Sequence, residues 1–324
     1  MKLLNISISP HVRSRAFTKH IMLDVVIALL PSLIMGVLVF GWRALMVITL
    51  SVASCVLTEF VYEKAMKQPV TVGDLSAVVT GLILAVNLYS TAPWWIPVLG
   101  GVFAILVVKM LFGGLGQNFM NPALAARCFL LISFSKIMTE YPTLGDGFVK
   151  IGNDLTSSAT PLMRISNGET VDILDMLVGT HSGAIGETSA IAIIIGALYL
   201  FIRRVISPRA PVTVIISTVA FVTLFTLIRG DTTITLNYLM VHALGGGLLT
   251  GAVFMASDYA TTPVTFWGQI IFGVCVGLLT AFIRVFGGDR EGVSYAIIIC
   301  NLLTPTIERL TYPRAGFWKE RVRS

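Results

Sequence analysis

Long apolar runs separated by short polar segments constrain this sequence more than any other feature. The first run, residues 21–40, follows a basic leader and is too long for the core of a signal peptide, so we expect it to be retained as a first span. About 20 apolar residues cross a hydrocarbon core of roughly 30 Å. Only 12% of the residues are charged, against about 25% in soluble domains. The sequence therefore predicts an all-α integral membrane protein.

About ten transmembrane helices are predicted from these runs. Glycine, asparagine or proline interrupts the third, fifth, eighth and tenth runs, and we expect these four to form broken or partial helices. Irregular backbone at membrane depth is tolerated only where protein or a water-filled cavity satisfies its polar groups. The predicted spans are residues 21–40, 44–62, 73–88, 95–112, 121–134, 183–202, 212–228, 239–255, 266–286 and 292–310.

The distribution of lysine and arginine predicts the orientation of the chain in the membrane. With the N-terminus in the cytoplasm, 15 of the 23 basic residues fall in cytoplasmic segments, 7 fall in outer segments and Arg127 lies inside a span. Cytoplasmic loops are the ones that carry an excess of basic residues. We therefore expect both termini in the cytoplasm and the longest loop, residues 135–182, on the outer side.

A weak internal repeat divides the chain into two sets of five spans. Five spans per half, with both termini inside, require the halves to be inverted relative to each other, which is typical of transporters and channels. We predict a first repeat at residues 1–134, an outer loop at 135–182 and a second repeat at 183–324. A solute channel or transporter is therefore one candidate function. The matches, at a common offset of 170 residues, are Thr80-Gly81 with Thr250-Gly251 and Pro93 with Pro263.

The outer loop contains the string Ser157-Ser158-Ala159-Thr160-Pro161. Taken alone, a Ser/Thr run before proline is an ordinary loop or helix cap. The string also resembles the flavinylation motif of the NqrB/RnfD family, in which the last threonine is esterified to the phosphate of FMN. The resemblance implies covalent FMN at Thr160, attached by a flavin transferase that works outside the cytoplasmic membrane, with Ser157 and Ser158 supporting the loop. Ser158 departs from the motif, since glycine is common there.

The resemblance to this family extends over essentially the whole chain. It implies a membrane electron-transfer subunit of an ion-translocating ferredoxin:NAD⁺ oxidoreductase that moves Na⁺ or H⁺. The expected partners are the other subunits of the Rnf complex in the cell membrane, including an extracytoplasmic FMN subunit. The family also implies a second, non-covalent flavin, with riboflavin as the candidate. The further matching strings are residues 113–123, Gly186-Glu187-Thr188-Ser189, residues 258–263 and Glu291-Gly292.

The quinone-reducing branch of the same family is a third candidate. Its members have a longer N-terminal extension, which this chain lacks, so the resemblance favours the ferredoxin-dependent branch. No stand-alone catalytic site is expected, because the activity implied by the resemblance belongs to an assembled complex.

Five charged or polar residues near span ends or inside spans are candidates for function. An intramembrane arginine is costly and functional by default, and we expect Arg127 to pair with flavin phosphate, to pair with Glu187, or to join two helices. Glu187 and Thr188 are expected at a helix N-terminus, where the dipole favours a carboxylate. Asp258 is a candidate for Na⁺ coordination, for a flavin hydrogen bond or for a turn cap. Glu291 is a helix-start charge or part of an ion path.

Metal and nucleic-acid sites are not predicted. The cysteines are scattered inside apolar runs, whereas iron–sulfur clusters need grouped thiolates. The formal net charge of +6 comes from basic residues at span ends, which does not indicate nucleic acid. The four cysteines are Cys55, Cys128, Cys275 and Cys300.

Overall fold

The structure is a computed structural model that describes residues 18–140, 159–230, 234–287 and 291–312. These residues form helices and turns and contain no strand. The helices are α1 Thr18–Phe40, α2 Trp42–Ala65, α3 Ser76–Val86, α4 Trp95–Met110, α5 Pro122–Ser133, α6 Ser135–Met138, α7 Pro161–Ser166, α8 Ile173–Val178, α9 Ala190–Ile202, α10 Arg209–Arg229, α11 Leu236–Leu244, α12 Leu248–Met255, α13 Phe266–Phe286 and α14 Val293–Thr311.

Four of the described helices, α1, α2, α10 and α13, are each long and apolar enough to cross a membrane. A fifth span is the bent pair of α11 and α12, whose axes differ by 50°. Shorter apolar helices, α3, α4, α5 and α9, occupy the predicted third, fourth, fifth and sixth spans. The prediction of an all-α integral membrane protein with partial helices is therefore confirmed.

We name the two ends of the helical bundle by the residues that lie there. The N-terminal side is the end where α1 begins, near Lys109, and the loop side is the end where Thr160 lies. The sequence predicts that these ends face the cytoplasm and the outside, respectively.

The eighth span is broken at Gly245–Gly247, as the glycine run predicts. Gly246 and Gly247 have φ values of 66° and 65°, a left-handed conformation that only glycine adopts without cost. The chain ends α11 at Leu244, turns through the glycines and begins α12 at Leu248. The last part of α12, Gly251–Met255, is π-helical.

Two of the predicted boundaries are wrong. The sixth span was expected to begin at residue 183, but α9 begins at Ala190, with the hydroxyl of Ser189 capping the N–H of Ala192 at 3.3 Å. The tenth span was expected to be broken, but α14 is one continuous helix that contains Pro305. Neighbouring side chains and helices allow proline in membrane helices, and the Thr304 hydroxyl binds the Cys300 carbonyl in that turn at 3.3 Å.

The short helices α3 and α12 meet end to end near the centre of the bundle. The side-chain nitrogen of Asn87, which follows α3, lies 3.6 Å from the sulfur of Met255, the last residue of α12. Two C-terminal ends that meet must come from helices entering from opposite sides. This arrangement supports the predicted inverted relation of the two halves, because α3 and α12 carry the repeated Thr-Gly pairs.

The segment before α9 is extended and pairs with the chain that leaves α3. The N–H groups of Ile185 and Gly186 bind the carbonyls of Leu88 and Val86 at 3.0 and 2.9 Å. A side chain at position 186 would collide with Val86. Glycine is therefore required where the two segments cross.

We expect Gly186→Ala to destabilise the fold by about 1–3 kcal/mol, the usual cost of overpacking. The added methyl group would meet both the side chain and the Cα of Val86. Thermal unfolding in detergent measures the change. Gly73→Ala is the matched control, because no atom lies within 4 Å of the added group; equal loss in both variants would contradict this explanation.

Candidate functional site

Thr160 is held at the loop side as the cap of a short helix. Its hydroxyl accepts a hydrogen bond from the N–H of Met163 at 3.4 Å, and α7 begins at Pro161. The residue is buried, with 5% of its surface exposed. The carbonyl of Ala159 accepts a hydrogen bond from the Ser182 hydroxyl at 2.8 Å. Ser157 and Ser158 lie outside the described residues.

The segment from Thr160 to α8 packs on α11. Leu162, Val171 and Met176 form a small apolar cluster with Val241. The side-chain amide of Asn237 donates to the Val171 carbonyl at 3.0 Å. These contacts place Thr160 beside the broken eighth span, a proximity that the sequence does not show.

Arg127 lies at the centre of a buried polar network, the loop-side cluster. Its guanidinium binds the Glu291 carboxylate at 2.6 Å, the Asn87 side-chain carbonyl at 2.7 Å and the Ser294 hydroxyl at 2.9 Å. The Tyr89 hydroxyl donates to the other Glu291 oxygen at 2.7 Å. The cluster therefore joins α5 and α14 to the chain that follows α3.

The ion pair of Arg127 corrects the expected pairing with Glu187. Glu291 takes that place, and its own role is an ion pair deep in the protein as well as a charge before α14. Glu187 lies close enough to interact electrostatically with Arg127. Arg127 thus joins helices, the third of the roles expected from sequence.

Glu187 and Arg284 bind the two free helix ends at the glycine break. Glu187 accepts hydrogen bonds from the N–H groups of Gly246 and Gly247, just before α12. Arg284 donates to the carbonyls of Gly245 and Gly246 at 2.9 and 3.1 Å and to that of His242 at 2.6 Å. Free N–H and carbonyl groups at helix ends favour negative and positive charge, respectively.

The prediction that Glu187 and Thr188 stand at a helix N-terminus needs correction. The helix end that Glu187 serves is that of α12, which is distant in sequence, and Ser189 caps α9 instead. Thr188 is fully buried, and its hydroxyl donates to the Ile185 carbonyl at 3.4 Å. Both residues stabilise the extended segment and the break beside it.

Arg284 was not a candidate from sequence. It was counted as a basic residue of an outer segment, and it does stand in the last turn of α13. Its side chain nevertheless turns inward and is buried, with 7% of the residue exposed. Hydropathy reports that a charge lies near a span end, but it does not report the direction of the side chain.

A second ion pair lies toward the N-terminal side and was also missed. Lys109 contacts both oxygens of Glu59 at 2.9 Å and the Ser76 hydroxyl at 2.6 Å. Lys109 and Glu59 are 3% and 1% exposed. Glu59 falls inside the predicted second span, and an acidic residue there is a signal that could have identified it.

A cavity of about 430 Å³ opens between the halves near this pair. Asp258 lines it, and its carboxylate accepts a hydrogen bond from the Thr261 hydroxyl at 3.1 Å, so it caps the turn after α12. Turn capping was one of its three expected roles. The polar residues of the wall are Ser76, Thr80, Lys109, Asn118, Asn121, Asp258 and Tyr259.

Among the described residues, no group of three or more histidine, cysteine, aspartate or glutamate side chains could hold a metal ion. All four cysteines are free thiols, and three of them are buried.

The fold and its buried ion pairs define a class of polytopic membrane proteins in which polar networks stabilise broken helices at membrane depth. Within that class the chain belongs to the NQR2, RnfD, RnfE family, whose sequence profile matches residues 5–316. The resemblance found in the sequence motifs is thereby confirmed.

Three relatives show the same extended similarity. A component of the Na⁺-translocating ferredoxin:NAD⁺ oxidoreductase complex of Acetobacterium woodii, lettered D in that complex, is 48% identical over 96% of this chain and 94% of its own length. The component with the same letter in the proton-translocating ferredoxin:NAD⁺ oxidoreductase complex of Clostridium ljungdahlii is 38% identical over 96% and 95%. Its counterpart in the ion-translocating oxidoreductase complex of Actinobacillus succinogenes is 34% identical over 95% and 97%.

Proposed function

We propose that this protein is the membrane electron-transfer subunit of an ion-translocating ferredoxin:NAD⁺ oxidoreductase and that it carries FMN esterified to Thr160. Full-length similarity to relatives with that name supports the complex. The motif ending at Thr160 supports the covalent flavin. The observation that carries most weight is that this threonine begins a helix packed on the broken eighth span.

A tethered flavin suits electron transfer between subunits because it passes one or two electrons and cannot diffuse away. The chain positions its attachment point through Thr160 at the cap of α7 and through the bond from Ser182 to Ala159. Ser157 and Ser158 would complete the loop that a flavin transferase must recognise.

The partners in this proposal are the remaining subunits of the Rnf complex. Thr160 would face the extracytoplasmic side of the cell membrane, with both termini in the cytoplasm, and would receive electrons from the extracytoplasmic FMN subunit. The count of basic residues and the flavin motif support this orientation independently of each other.

A second, non-covalent flavin would fit the cavity on the N-terminal side. Its volume of about 430 Å³ lies within the usual range for small-molecule sites, roughly 300–1,000 Å³. Asn118, Asn121 and Asp258 supply polar groups in its wall, and Ile21 and Ile83 supply apolar ones. Riboflavin is the candidate ligand.

The proposed ion path, for Na⁺ or H⁺, includes Asp258 at this cavity. Glu291 is the other candidate, and its carboxylate is held by Arg127 and Tyr89. An ion that reached Glu291 would therefore have to compete with a guanidinium.

We expect this chain, expressed with its flavin transferase, to give a fluorescent band after denaturation in SDS, and Thr160→Ala to lose that fluorescence completely. Thr160→Ser keeps a hydroxyl and is expected to retain part of it. Thr170→Ala, a change in the same segment, is the control for unrelated damage. Riboflavin bound at the other cavity would appear in the supernatant. A dark band in the unchanged protein, or fluorescence that survives Thr160→Ala, would refute the attachment site.

An inverted-repeat channel or transporter is the second candidate, since α3 and α12 meet end to end as the half-helices of transporters do. It predicts no covalent flavin in the same gel. The quinone-reducing branch predicts the flavin and, in addition, reoxidation of the complex by quinone.

A further inference from the structure

A cavity of about 420 Å³ lies on the loop side, between α7, α10, α11 and α13. Leu162 and Ile165 of α7 form part of its wall. Arg229 and Arg284 bring two positive charges, and Glu169 brings one negative charge. It is separate from the cavity near Lys109, which lies on the N-terminal side.

Three buried polar atoms that lack a hydrogen-bond partner belong to residues lining this cavity. They are Asn237 Oδ1, His242 Nδ1 and Arg284 Nε, and they make up three of the six such atoms found in the described residues. Buried polar groups in native proteins are almost always paired, so each exception calls for an explanation. Their concentration around one cavity indicates a ligand with several polar atoms.

The chemistry of these atoms narrows the ligand. Arg284 Nε–H is a donor and Asn237 Oδ1 is an acceptor, while His242 Nδ1 serves as either, depending on its tautomer. The walls also include the apolar side chain of Leu162 and the ring of Tyr238. A planar heteroaromatic ring whose edge alternates carbonyl oxygens with an N–H group fits this combination.

Thr160 stands within reach of the same cavity. Leu162 follows it by two residues in α7, which is roughly 3 Å along a helix axis. The side chain of Leu162 contacts the glycine break at Gly246, next to Arg284. A ribityl phosphate attached to Thr160 would span this separation.

We infer that this loop-side cavity binds the isoalloxazine ring of the flavin tethered to Thr160, with Asn237, His242 and Arg284 bonding its pyrimidine edge. The inference rests on the proposed covalent flavin and adds the seat of its ring. Two-electron reduction of the ring by the partner flavoprotein, with uptake of one proton, leaves one negative charge on the ring. The guanidinium groups of Arg229 and Arg284 stabilise that charge and so raise the reduction potential.

The test uses the full chain, flavinylated during expression and purified in detergent. We expect acrylamide to quench the covalent flavin several-fold less than free FMN, and Asn237→Leu to raise that quenching at least twofold. Arg229→Gln should shift the midpoint potential downward by about 15 mV, a threefold change in the ratio of reduced to oxidised flavin, since tenfold corresponds to 29.6 mV for a two-electron couple.

Asn167→Leu and Arg164→Gln are the matched controls, because both lie in the segment after Thr160 and neither lines the cavity. They should leave quenching and potential unchanged. A flavin as accessible as free FMN, or equal effects in the control and test variants, would overturn the inference while the fluorescent gel band still upheld the attachment site. A dark band in the unchanged chain would overturn both.

Discussion

Lys109→Met is expected to destabilise the fold by about 5 kcal/mol, the upper end of the range for breaking a buried ion pair. The change leaves Glu59 buried without its partner. Asp74 and Glu63 are close enough to add repulsion of the same sign. Methionine matches the length and apolar stem of lysine, so lost packing contributes little.

Unfolding of the purified chain in mixed detergent and SDS measures this loss of stability. Lys136→Met is the matched control, because Lys136 is exposed in α6, and it should change stability little. Adding Glu59→Gln to Lys109→Met should recover much of the loss, since the buried charge is then gone. A double variant no more stable than Lys109→Met alone would show that packing, and not charge, is responsible.

The positions of the spans could be predicted from hydropathy, because each apolar run of sufficient length has to form a helix in the membrane. The glycine break of the eighth span could be predicted as well, since Gly246 and Gly247 have no Cβ to oppose a left-handed turn. The start of α9 could not. The residues at 183–186 look apolar, but Ile185 and Gly186 use their N–H groups to pair with the chain after α3, a partner that hydropathy does not contain.

The partners of charged residues were the least predictable part of the candidate site. Glu187 is nearer to Arg127 in sequence than Glu291 is, yet Glu291 is the direct partner because α14 packs against α5. Lys109 and Arg284 were counted as ordinary basic residues at span ends. Sequence shows how many charges a span carries, while pairing depends on which helix faces which.

The loop-side cluster links elements from both predicted halves of the chain. Arg127 belongs to the first half, Glu291 and Ser294 to the second, and Asn87 stands where α3 and α12 meet. The same region adjoins Glu187, which binds the glycine break beside which Thr160 is docked. A change at this cluster is therefore felt both by the helix packing and by the segment proposed to carry the flavin.

Arg127→Met is accordingly expected to destabilise the fold by about 3 kcal/mol, the lower end of the range for breaking a buried pair. The Glu291 carboxylate loses its guanidinium but keeps the Tyr89 hydroxyl and the nearby charge of Arg284. Unfolding in mixed detergent and SDS measures the effect.

Arg164→Met supplies the matched control, because its pair with Glu169 is partly exposed and pairs of that kind contribute about 0–1 kcal/mol. Combining Arg127→Met with Glu291→Gln should cost clearly less than the sum of the two single changes, since residues in one network couple. Strict additivity would mean that Arg127 is stabilised mainly by Asn87 and Ser294, and that its ion pair with Glu291 contributes little to joining the two halves.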